Sequence, residues 1–144
     1  MDINKFKLDE KLEVEGVWKE LGDGARVKVA ASNNPAFREL FRKKTEPYTD
    51  AIRRGLLDEE TSHRIMVEVM AETILIEIEG FTDQGKELKS TTENKVRLLK
   101  DYRPFRDMIA SIADQMENFK KKEEEKALGN SSKGSTGTSS TATA

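Results

Sequence analysis

Residues 57–88, LDEETSHRIMVEVMAETILIEIEGFTDQGKEL, hold the densest run of large aliphatic side chains in the chain, and whatever it folds into must cover them. Met66, Val69, Met70, Thr73, Ile74 and Glu77 recur at intervals of three and four. Ile65 and Ile76 widen that stripe, so a helix here is apolar over more than one side and needs other elements packed around it. Asp58, Glu59 and Glu60 place negative charge where a helix dipole favours it. From Ile74 to Phe81 the pattern also fits a strand, with Ile74, Ile76 and Ile78 alternating against Leu75, Glu77 and Glu79. Continuity with Ile65 predicts a helix over 58–79, stopped by Gly80, and then a turn region.

The other elements follow around this spine. Residues 1–10 read as a flexible arm. Residues 12–31 alternate β-branched and charged side chains about Gly22-Asp23-Gly24, which predicts a β-hairpin with strands near 12–21 and 25–31. An Asp23-Gly24 turn pairs Trp18 with Val29; a Gly22-Asp23-Gly24 turn pairs Val17 with Val29. Both registers stay open. Trp18 either packs on the helices or belongs to a partner-binding face. Asn33-Asn34-Pro35 predicts a capped helix start. The helical segment 34–55 that follows has Pro47 as a kink or a second start. Ser90-Thr91-Thr92-Glu93 has capping-box spacing ahead of a helix over 91–102. A last helix over 104–126 carries Phe105, Met108, Ile109, Ile112, Met116 and Phe119 on one stripe and continues into KKKEEEK. Residues 127–144, with one charge and no large apolar side chain after Gly129, read as a disordered tail.

The expected fold is therefore α+β and mainly α: an N-terminal hairpin on a bundle of about four helices, forming one domain over residues 11–126. Hydrophobic residues make up 35% of the chain and charged ones 36%, which leaves a thin core. A formal charge of −2 is too balanced to point to nucleic acid. Its distribution says more. Residues 33–57 carry six basic and three acidic side chains, and 58–87 carry two basic and nine acidic, so consecutive helical segments are complementary in charge. That complementarity suits an antiparallel helix pair or association between molecules, a homo-oligomer included.

Chemistry at a reaction centre is not expected. There is no cysteine and one histidine, His63, so no metal site of the usual kinds can be assembled, and no cofactor motif is present. Glu68 and Glu72, one turn apart, lack the loop of oxygen ligands that a hard cation requires. Arg38, Arg42, Lys43, Lys44, Arg53 and Arg54 lack the context of a recognition helix. The opening MDINKFKLDE has no signal-peptide core and no run reaches membrane-spanning length, which implies a cytoplasmic protein without a membrane partner. Met66, Met70, Met108 and Met116 lie on the apolar stripes, where adaptable side chains can pack a core or accept a variable apolar partner.

Several phrases, in this order, resemble the tail assembly chaperones of long-tailed bacteriophages: LEVEGVWKELGDGARVKVA, NNPAFREL with Pro47 downstream, AETILIEIEGFTDQGKEL, TTENKVRLLKDY and FRDMIASIADQMENF. They span about residues 12–119, and the likeness rests on their number and order rather than on a catalytic signature. The resemblance implies a small, mainly helical protein of the host cytoplasm. It would bind the tape measure protein, keep it soluble and help tail tube subunits gather on it, and be missing from the mature virion. Such proteins often also occur in a longer, frameshifted form that engages the tail tube protein. The candidate partner-binding residues are Trp18, Met66, Met70, Ile74, Phe105, Ile109, Ile112, Met116 and Phe119. The alternative is a small structural protein of the virion, a connector or tail-completion subunit.

Overall fold

A computed structural model describes residues 1–121, so the expectations for 122–144 fall outside the described residues. The chain divides into a main unit, Asp9–Phe119, and a small one whose described residues are Met1–Leu8, Lys120 and Lys121. In the small unit Ile3–Phe6 form a 3-10 turn capped by Asp2, whose carboxylate accepts from the Asn4 N–H, and Leu8 bridges Lys120. Residues 1–10, expected as an arm, thus contain a turn and the start of a helix.

The main unit is α+β and mainly helical. Asp9 caps helix α1, Glu10–Glu15, by accepting from the N–H groups of Lys11 and Leu12. This helix replaces the first residues of the predicted strand. Leu12 and Val14 alternate with Glu13 and Glu15 as a strand would, but an N-cap and acids in the first turn favour helix. Strand β1, Val17–Gly22, and strand β2, Ala25–Val29, then form the hairpin. Val17 pairs with Val29 and Trp18 with Lys28, yet Gly22 pairs with Ala25, because a bulge at Leu21 shifts the register between Glu20 and Gly22. The turn is Asp23-Gly24, both at positive φ (54° and 79°), as a tight hairpin turn of this hand requires. Each predicted register is therefore half realised, with the bulge joining the two.

Asn34 caps helix α2, Pro35–Thr45, as the sequence predicts. Its buried side chain accepts from the Phe37 N–H and donates to the carbonyls of Ala31 and Thr73, which ties α2 to the end of the central helix. At Pro47 the helix gives way to a 3-10 turn, Glu46–Tyr48, followed by the short helix α3, Thr49–Arg53. Central helix α4 runs over Glu59–Thr73 with Asp58 as its cap.

Its predicted continuation to Glu79 is corrected. Leu75–Glu79 are strand β3, paired antiparallel with β2 through Val27–Ile78 and Val29–Leu75. The segment suits both periods, and the open edge of β2 decides: pairing satisfies its backbone and buries Leu75 and Ile78, roughly 2 kcal/mol or more for each side chain. The sheet order is β1-β2-β3. Gly80 follows at φ +82°, with the Gly24 carbonyl oxygen 2.1 Å from where a Cβ would stand, so the hairpin tip sits directly on it.

Strands β4, Thr82–Asp83, and β5, Lys86–Glu87, make a small second hairpin in the region expected to be only a turn. Helix α5, Thr92–Asp101, is capped by Thr91 rather than Ser90, whose hydroxyl oxygen instead accepts from the Ile78 N–H. Helix α6, Arg103–Asp114, stops well short of the predicted 126. Its last carbonyls are taken by other groups: Asn118 Nδ2 donates to the Ile112 carbonyl and the Ser32 N–H to that of Ala113. The chain then turns through a 3-10 segment, Met116–Phe119, that buries Phe119. The core lies between one face of the sheet and the helices, with Val27, Val29, Val67, Met70, Ala71, Ile74, Leu75, Ile78, Leu98, Leu99, Ile109 and Ala113 in one cluster.

Candidate partner-binding surface

Burial sorts the predicted contact residues. Met70, Ile74, Ile109 and Phe119 are sealed in the interior, and a partner reaches none of them without opening the fold. Phe105 and Ile112 are half-buried and pack on the core cluster. Met66 and Met116 are exposed, at 37% and 45%. The predicted stripe is thus mostly core, and it does not form one surface.

Other apolar side chains are exposed instead: Phe41 on α2, Ile52 on α3, and Leu56, the most open of these at 65%. Neither α2 nor α3 has a fully buried residue. Phe37 packs on the core and Phe41 stacks on Phe37 with ring centroids 5.8 Å apart, so the apolar face of α2 is covered only along its first turns. Helical spacing marks Phe37, Phe41, Tyr48 and Ile52 as a stripe, but spacing alone cannot say which part of a stripe another element will cover.

Trp18 lies on the sheet face opposite the core. Side chains alternate across a strand; Val27 and Val29 point into the core, so Lys28 and Arg26, and with them Trp18 and Glu20, point away from it. The predicted packing of Trp18 on the helices is corrected. Its ring is covered by the Arg26 guanidinium, 3.9 Å from the ring centroid, with the Lys28 ammonium at 6.0 Å. Arg26 also pairs with Glu79 at 2.9 Å, and that hydrogen bond, with the nearby charges of Glu79, Glu20 and Glu77, raises its pKa.

The two oppositely charged segments do pack together: Asn34 meets Thr73, Lys44 pairs with Glu68 at 3.1 Å, and Arg64 donates to Tyr48 Oη at 3.2 Å, the order of an antiparallel helix pair. Their charges meet sparingly. Arg42 pairs with Glu39, and Arg53 and Arg54 with Asp50, all within one turn of their own helix. Exposed pairs of this kind contribute little.

Two polar contacts between elements escape sequence reading. Lys95 crosses from α5 to β3, where its Nζ donates to the Ile76 carbonyl at 3.0 Å, and burial pushes its pKa down while Glu72 and Glu77 oppose that shift. Arg97 pairs with Asp83 at 2.7 Å and so ties α5 to the small hairpin. His63 lines a cleft of about 500 Å³ beside α4 with Glu60, Arg64, Glu68 and Lys100 around Val67 and Val96. Among the described residues no three His, Cys, Asp or Glu side chains are grouped to hold a metal ion. No described helix is long and apolar enough to cross a membrane.

Residues 32–130 match the family of the YdaY prophage protein. The chain belongs to this family. The match covers more than half of the sequence, from Ser32 through α2–α6 and β3, and leaves the β1–β2 hairpin outside. It makes the chain a phage-derived protein. Neither a curated protein nor a solved structure matches it.

Proposed function

We propose that this member of the YdaY family is a tail assembly chaperone that binds the tape measure protein of its phage, keeps it soluble and helps tail tube subunits collect on it. The observation that carries the reading is a prophage protein whose amphipathic α2–α3 segment leaves Phe41, Ile52 and Leu56 in solvent. Exposed apolar side chains on an otherwise highly charged surface suit a protein that covers apolar helices of a client without nucleotide. The five phrases that resemble tail assembly chaperones, from LEVEGVWKELGDGARVKVA to FRDMIASIADQMENF, support it.

In this reading the protein works in the host cytoplasm, needs no cofactor, catalyses no reaction and involves neither nucleic acid nor membrane. Contact with the tail tube protein would pass through this form or a longer, frameshifted one. The client contacts in this reading are Phe41, Ile52 and Leu56 on the α2–α3 segment, while Met66, Met116 and Trp18 are separate points on the surface; Met70, Ile74, Phe105, Ile109, Ile112 and Phe119 act through the core. Mass spectrometry of purified phage particles tests the assignment. A chaperone is missing from them, whereas one copy-number-stoichiometric ring of this chain in each particle would make it a connector or tail-completion subunit.

A further inference from the structure

The sheet has two outer edges and the chain treats them differently. At β3 the edge is closed: Ile78 donates its N–H to Ser90 Oγ at 2.9 Å, and the Ile76 carbonyl accepts from Lys95 Nζ at 3.0 Å. The register shift opposite Lys28 and Val29 also breaks the flat ladder. Side-chain caps and bulges of this kind keep further strands from adding.

At β1 no side chain among the described residues caps the edge, and its one bulge lies at Leu21, beyond the regular stretch Val17–Glu20. Among the described residues no strand, backbone group or side chain hydrogen-bonds to the outer edge of Val17–Glu20. These four residues run in unbroken register with β2, and the bulge comes only afterwards. Their side chains are half-buried or exposed, and Lys19 makes no ion pair among the described residues. An open, regular edge offers backbone donors and acceptors at strand spacing, which an extended segment can satisfy together in place of water.

A second copy fits poorly. Two β1 edges related by a two-fold axis meet antiparallel with the axis perpendicular to the sheet, so each residue faces one of the same sheet face. Centring the pair on Lys19 or Glu20 sets like charges directly opposite each other. Centring it on Trp18 brings Gly16, at φ +90°, into the ladder opposite Glu20 and ends the regular pairing there.

We propose that the outer edge of β1, Val17–Glu20, is a strand-addition site for an extended segment of a partner protein, bound antiparallel. The segment carries an acidic residue opposite Lys19, a basic one opposite Glu20 and an aliphatic one opposite Trp18. The site rests on the open edge of β1 and the side chains along it, not on the chaperone reading.

The test titrates the full, ¹⁵N-labelled chain with a capped peptide, TVKEIV, which presents those side chains in antiparallel order. Amide shifts and slowed hydrogen exchange at Val17–Glu20 are expected at millimolar peptide. The charge-reversed peptide TVEKIV should bind roughly tenfold more weakly, because two opposite-charge cross-strand pairs become like-charge pairs. The Lys19→Glu/Glu20→Lys chain should invert that preference. The proposal is overturned if neither peptide moves the β1 amides, if both bind equally, if the shifts fall on Ile76–Ile78, or if the chain alone dimerises with its β1 amides already protected.

Discussion

Asn34 joins three parts of the molecule, and its removal has a calculable cost. Its Oδ1 accepts from the Phe37 N–H at 3.0 Å, while Nδ2 donates to the carbonyls of Ala31 at 2.8 Å and Thr73 at 3.1 Å. Asn34→Ala removes a helix cap, about 1 kcal/mol. It also strips a donor from two buried carbonyls, about 1 kcal/mol each. The sum is about 3 kcal/mol, a large part of the roughly 5–15 kcal/mol typical of a domain. The melting temperature should fall by roughly 10–20 °C. Circular dichroism at 222 nm with urea and thermal melts measures both. Asn34→Asp separates the contributions: it keeps the cap acceptor but turns a carboxylate oxygen toward two carbonyls. Its folded-state pKa is then raised, so its stability falls as pH rises through the carboxylate range and returns in acid. A loss below about 1 kcal/mol in Asn34→Ala, or an Asp variant as stable as the parent at neutral pH, would refute this account of how α2 is held.

Other substitutions probe separate joints. Gly80→Ala would place a methyl 2.1 Å from the Gly24 carbonyl oxygen at a positive φ, so urea denaturation should show a loss of roughly 2 kcal/mol or more, with the hairpin displaced. Asp58 accepts from the backbone N–H of Thr61, which holds its carboxylate below the usual 3.8. That depressed value supplies stability above the unfolded pKa and loses it as pH falls through the folded one. Asp58→Asn keeps a cap and should flatten the acid limb of the stability curve just below pH 4, as melts across pH 2–6 would show.

How much of this was legible in the sequence depended on whether the deciding partner was local. Asn34-Pro35 announces its helix because a cap acts on N–H groups two or three residues away, and Asp58, Glu59 and Glu60 mark the next start through their charge; the structure makes Asn34 a cap as expected and Asp58 a cap rather than a first-turn residue. The same local reading fails where neighbours compete. Ser90 and Thr91 are adjacent hydroxyls; which one caps α5 depends on Ile78, brought to Ser90 by the sheet. Ile74–Glu79 satisfies helix and strand periods alike, and only the free edge of β2 selects strand. Periodicity carries the α6 stripe on to Met116 and Phe119, but the side chain of Asn118 and the backbone of Ser32 end the helix first.

The candidate surface was less visible than the fold for the same reason. An apolar stripe shows that a face seeks cover, and tertiary packing decides whether it finds any. α4 finds it on several sides, burying Ile65, Val67, Val69, Met70 and Ala71. The weaker stripe of α2 and α3 stays open at Phe41 and Ile52. Trp18 faces outward because the bulge at Leu21 sets the register of the hairpin.

The central claim is that this open surface holds a tail protein during assembly. Co-expression with the tape measure protein of the same prophage, followed by fractionation and co-purification, tests it most directly. The account predicts that the tape measure protein moves into the soluble fraction and purifies with the chain. It also predicts that Ile52→Ser/Leu56→Ser weakens the complex at least tenfold while the melting temperature falls by far less than in Asn34→Ala, since the two side chains are 45% and 65% exposed. A tape measure protein that stays insoluble and unbound, or a complex indifferent to that double substitution, would contradict it.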